Sequence, residues 1–141
     1  MLHLSPARLL LIAPLTLFLA CGSKQASRED VRSDLTKSIS MASEAEMFIG
    51  YVNQGHSTYR FASGHLRYLA DEVNRSIQEL SNRNAPPDLM KPLTLDRVQL
   101  KLLSAQIENA SQHVQQPDVL AASERQIHAI RTSLVQANSS L

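Results

Sequence analysis

From Val31 onward the apolar positions of the chain step by three and four. Val31, Leu35, Ser38, Ala42, Ala45, Ile49 and Val52 make a first run; His56, Tyr59, Ser63, Leu66, Ala70, Val73, Ile77 and Leu80 continue its phase. Residues at this spacing share one face of an α-helix, and the repeat is that of a heptad seam. Met41, Phe48, Ala62 and Leu69 widen the stripe to the breadth that a bundle helix needs. Leu100, Leu103, Ile107, Ala110 and Val114 form a third run, with Leu95, Val98 and Leu102 beside it. Leu120, Ser123, Ile127, Ile130, Leu134 and Ala137 form a fourth.

Punctuation divides these runs. Ser27 is a good N-cap with Asp30 three residues on, a variant of the capping box, and Glu29 and Asp30 suit the positive end of a helix dipole. An unbroken seam is compatible with one continuous helix over 28–83, some 80 Å long, folded into a long helical hairpin. The segment YVNQGHSTYR argues instead for a turn near 54–57. Gly55 reads as the close of one helix and Ser57 or Thr58 as the cap of the next. Pro86, Pro87 and Pro92 end the second helix, because proline removes a donor and fixes φ. Pro117 suits the first position of a new helix, with Asp118 after it. The predicted fold is all-α: helices at about 28–54, 57–83, 93–115 and 117–139. Similar lengths and short connections make neighbours antiparallel, hence a four-helix up-down-up-down bundle.

Composition narrows the class of function. The 141 residues suffice for one domain with a modest core. Lys and Arg number 14 against 13 Asp and Glu, and setting residues 1–20 aside removes only Arg8. A neutral chain has no electrostatic footprint for nucleic acid. One cysteine, Cys21, cannot form an internal disulfide.

That cysteine closes an apolar stretch, LLLIAPLTLFLA, from Leu9 to Ala20. The stretch is too short for a membrane-spanning helix, which needs roughly 20 residues, but has the length of a signal-peptide core. FLAC, residues 18–21, resembles the lipobox of bacterial lipoprotein precursors. Ala20 and Cys21 match its usual residues, while Phe18 and Leu19 are apolar replacements. The resemblance implies a signal peptide over 1–20, acylation of Cys21, and a lipid anchor in the cell envelope. Gly22 after the cysteine implies the outer membrane, facing the periplasm. Residues 21–27 read as lipidated cysteine and polar tether, and 28–141 as the helical bundle.

Candidate chemistry in that bundle is sparse. No Glu is followed at the third place by His, as a ferritin-type di-iron bundle requires, and covalent haem attachment needs a second cysteine. There is no His-Glu-x-x-His, Gly-rich phosphate loop or nucleophile elbow. Glu124 and His128 lie four apart and could share a metal, although a surface pair accounts for them as well. His113 suits the last turn of the third helix, where its charged form would favour the dipole. Arg67, Asp71, Arg75, Glu79 and Arg83 alternate in sign every four residues, the pattern of a solvated salt-bridge ladder.

One segment is locally odd. HSTYRFASGHLRYL crowds His, Tyr, Phe and Arg where the seam needs only Tyr59, Leu66 and small residues. Phe61, Arg67 and Tyr68 fall outside the seam and form a candidate interaction surface, since exposed aromatics beside Arg are what interfaces carry. Packing of the same rings against a neighbouring helix is the competing reading. The expectation is a non-enzymatic envelope lipoprotein, without cofactor or metal, whose bundle is a protein-interaction or structural module and meets another envelope protein. The alternative is a small-molecule or metal carrier with a ligand near His56, Tyr59 and His65.

Overall fold

The computed structural model describes residues 25–141. It contains four α-helices: α1 Arg28–Asn53, α2 Tyr59–Ser81, α3 Pro87–Gln112 and α4 Pro117–Ser139. Each runs antiparallel to the next. Lys37 pairs with Glu79, Ser104 with Asn74, Asn109 with Ser123 and Glu46 with Arg131, so rising numbers on one helix meet falling numbers on its neighbour. The up-down-up-down bundle expected from the seams is therefore the fold, and the long hairpin is not. Packing is uneven. α1 lies mainly on α4 and α2 on α3, α1 and α3 meet across the centre, and α1 touches α2 least among the contacting pairs.

The break between α1 and α2 has a clear cause. Gly55 takes φ +78°, a conformation that costs a residue with Cβ about 1 kcal/mol or more. The His56 amide then donates to the Tyr51 carbonyl at 3.2 Å, and the Gly55 amide to Val52 at 2.9 Å. That pair of bonds is the Schellman closure, and the His56 ring on Tyr51, centroids 5.1 Å apart, supplies its side-chain contact. Thr58, rather than Ser57, caps α2, accepting from the Phe61 amide. At the other end Ser27 and Asp30 form a capping box, their mutual bonds 2.8 and 3.1 Å.

Every predicted seam residue of α1 is buried, as are Leu66, Ala70, Val73 and Leu80 on α2. Leu100, Leu103, Ile107, Ala110, Leu120, Ile127 and Leu134 complete the core. Each such Leu or Ile contributes roughly 1.5–3 kcal/mol by leaving water.

Three expectations need correction. Pro92 does not precede α3 but sits inside it, near its start. Pro87 occupies the first turn, where its missing N–H costs nothing, and Pro92 withholds only the bond to the Asp88 carbonyl at the exposed helix start. Tyr59 leaves the seam and is 54 % exposed, because it opens α2 at the bundle's end. Val98 and Leu102 are each 48 % exposed. Two residues from Leu100 is about 200° around a helix, so they face away from the core.

Both chain ends of the bundle meet at the α2–α3 loop. The Ala26 amide donates to the Asn84 carbonyl at 2.7 Å, and Arg28 donates to the Leu141 carbonyl at 2.7 Å. Gln25 and Ala26 thus enter α1 at the end opposite the Gly55 turn.

Candidate interaction surface

The groove between α1 and α2 follows from their sparse packing. Large side chains fill it from both sides, and several remain partly in water. Phe48 lies at its centre, with ring centroids 4.3 Å from His65, 6.2 Å from Phe61 and 6.3 Å from Tyr51. His65 also stacks on Phe61 at 5.9 Å, the planes only 7° apart, and lies 6.1 Å from Tyr68. Phe48 and His65 are half-buried and hold the cluster to the core. Phe61 is 60 % and Tyr68 56 % exposed, and Tyr51 continues the apolar surface toward the Gly55 turn. The Glu44 carboxylate stands 3.9 Å from His65 Nε2.

The predicted residues divide. Phe61 and Tyr68 share this face with His65. Arg67 does not. It donates to Ser63 Oγ at 3.1 Å and lines a separate cleft with Glu108 and Ser111, on the α2–α3 side. One residue along a helix is about 100° around it, which separates Arg67 from Tyr68. His56, Tyr59 and His65 do not converge either: His56 packs on Tyr51, Tyr59 makes no ring contact among the described residues, and His65 belongs to the cluster. Cys21 lies outside the described residues. No described helix is long and apolar enough to cross a membrane.

No protein-family model, curated protein or solved structure matches the chain.

The remaining charged groups take other partners than the sequence spacing proposed. The α2 ladder does not form as written. Arg75 pairs with Glu72 at 2.7 Å, Glu79 with Lys37 at 3.0 Å and Arg83 with Asp34 at 3.1 Å, so two of these three pairs lead to α1. His113 Nδ1 sits 2.8 Å from the Asn109 carbonyl at the end of α3. His128 turns to Glu46 on α1 at 2.8 Å, not to Glu124, which lies over Gly50. Arg131 Nε donates to the other Glu46 oxygen at 2.7 Å. Burial works to raise the Glu46 carboxyl, but these hydrogen bonds and charges outweigh it and hold it below the ordinary carboxylate value. Among the described residues no group of three or more His, Cys, Asp or Glu is arranged to hold a metal.

Asp96 escaped the sequence reading. It is fully buried, and neither carboxylate oxygen completes a hydrogen bond. Burial pushes its carboxyl up to about 6; the Ser38 hydroxyl nearby works against this, and the Asp34 charge adds to it. Asp34 is raised too, by burial first, against the opposing Arg83 guanidinium and with Asp30 adding to the rise. The signal was present: 93, 96, 100, 103 and 107 keep the three-four step, so a helix begun earlier puts Asp96 on the seam.

Proposed function

We propose that the chain is a lipid-anchored, non-enzymatic protein-interaction module of the bacterial cell envelope. The observation that carries the interaction part is the aromatic cluster around Phe48 and His65, which leaves Phe61, Tyr68 and Tyr51 in water on one face. A contiguous apolar patch of this kind stabilises a complex when covered and is unfavourable when left open. The reading is also supported by a core whose seam is filled with aliphatic side chains. A carrier would instead be supported by an enclosed cavity between helices with converging polar groups.

The anchor part rests on the resemblance of FLAC to a lipobox. Acylation at Cys21, five residues before Ala26 in the chain, would tether the end of the bundle where α1 begins. Tyr51 lies 24 residues beyond Ser27, or about 36 Å along α1 at ~1.5 Å per residue. An anchored bundle standing upright would hold this face, on its α1–α2 side, at the end far from the lipid and within reach of a periplasmic partner.

The test has two arms. Mass spectrometry of the mature protein purified from membranes should show a diacylglyceryl-modified Cys21 at its N-terminus; a soluble, unmodified chain would refute the anchor. A photo-crosslinker at Tyr51, exposed at the edge of the patch, should capture an envelope protein in the otherwise wild-type chain. It should fail to do so in the Phe61→Ala, Tyr68→Ala double variant with an unchanged melting temperature. Equal capture by both would refute the surface.

A further inference from the structure

Next to the aromatic cluster the α1–α2 groove opens into a cleft of about 200 Å³. Its inner wall is apolar: Leu69 and Val73 are buried, and Met41 packs against the core. Tyr68 forms an aromatic side, and the Glu44 and Glu72 carboxylates, one from each helix, stand at the opening. Glu44 makes no hydrogen bond among the described residues; its ionic neighbour is His65 at 3.9 Å. Glu72 engages Arg75 through one oxygen at 2.7 Å. Lys37 also borders the cleft, but its ammonium is drawn to Glu79 at 3.0 Å.

Methylene-lined depth, a ring face and two carboxylates at the opening match one side chain. An arginine lays its apolar stem along Met41, Leu69 and Val73, stacks its guanidinium on Tyr68 and meets carboxylates with its forked donors. We propose that this cleft receives a single arginine of the partner protein that the adjoining aromatic face binds. The proposal rests on the interaction reading of that face and names the chemistry of its partner: an arginine beside apolar anchor residues. A lysine would keep the charge but lose the planar fork and the stacking, and a neutral side chain of the same length would bring no charge to the two carboxylates.

The test uses isotope-labelled full-length protein and three small probes at fixed ionic strength: N-acetyl-arginine methylamide, its lysine counterpart and its citrulline counterpart. The arginine probe should shift the Tyr68 ring and the Glu44 and Glu72 carboxyl resonances saturably, with millimolar affinity. The citrulline probe should bind at least tenfold more weakly, and the lysine probe should fall between. Glu44→Gln with Glu72→Gln should weaken the arginine probe tenfold or more. Equal binding of arginine and citrulline, or shifts spread evenly over other surface carboxylates such as Asp71 and Glu108, would overturn the proposal. Because no partner is needed, a failed titration alongside Phe61- and Tyr68-dependent crosslinking removes the cleft alone. Saturable arginine binding with crosslinking insensitive to those rings removes the interaction face instead.

Discussion

The imidazole of His65 lies against the ring of Phe48, centroids 4.3 Å apart and planes at 61°. The contact joins α1 to α2 where the two helices pack least, and it separates the cluster into an inner and an outer part. Phe48 is half-buried and meets three other rings; Phe61 and Tyr68 are more than half in water. Phe48→Ala should cost about 2 kcal/mol, below the 3–5 of a fully buried phenylalanine. For a domain of this size that lowers the melting temperature by roughly 4 °C per kcal/mol. The Phe61→Ala, Tyr68→Ala pair should stay within a few degrees of wild type. A large loss from the outer pair, read by thermal denaturation, would make those rings part of the core.

The two glycines at the end of α1 should respond in opposite ways to alanine. At Gly50 an added Cβ would meet Glu124 Oε1 at 3.0 Å, the far end of a side chain that can swing aside. The helix gains up to about 1 kcal/mol from alanine, so Gly50→Ala should be neutral or stabilising. Gly55 has open space around it but holds φ +78°. Gly55→Ala should therefore destabilise by about 1 kcal/mol from backbone strain alone. Chemical denaturation of the two variants compares them directly.

Much of the fold was legible because bundle seams obey one period. Residues 31–52 of α1 and 120–134 of α4 could be read inward or outward from spacing alone, and proline and glycine marked the helix joints. The misreadings have local causes. Pro92 reads as a stop, since spacing does not show that a helix start tolerates proline. Arg83 reads as paired along its own helix, although helix–helix packing offers it a carboxylate on α1. Phe61 and Tyr68 stood out as departures from the seam. Spacing places Phe48 at the edge of the stripe, where it is, but not against His65, because that encounter joins residues 17 apart and depends on how far α1 and α2 stand from each other.

Glu46 bridges α1 to α4 through Arg131 and His128. Its carboxyl is held below the ordinary value, so the stability it contributes is present above pH 4.5 and is lost as pH falls through its folded value. Glu46→Gln should cost about 1–2 kcal/mol at pH 7, the usual worth of a charge-assisted bond in a part-buried site. At pH 3 the variant and wild type should converge. Urea melts at the two pH values would measure this, and an equal deficit at both would show that packing, not charge, holds the bridge.

Asp96 should give the opposite dependence. Its folded value of about 6 lies above the ordinary 3.8. The native chain therefore binds a proton more tightly than the unfolded chain does. That contribution is complete below pH 3.8 and is lost as pH rises through about 6. At ~1.4 kcal/mol per pH unit of difference, the carboxyl makes the bundle less stable at pH 8 than at pH 4 by up to about 3 kcal/mol. Asp34, raised in the same direction, adds to the trend, while Glu46 acts against it only toward the acid end. Asp96→Asn keeps the shape and removes the charge. It should match wild type near pH 4, exceed it by about 1–3 kcal/mol at pH 8 and flatten the slope between. Ser38→Ala should steepen that slope, because the hydroxyl is what moderates the rise. Urea midpoints from pH 4 to 8 decide the matter: a wild type whose midpoint does not fall with pH, or an Asn variant that tracks it throughout, would show that the ionised Asp96 finds water or a partner inside the bundle.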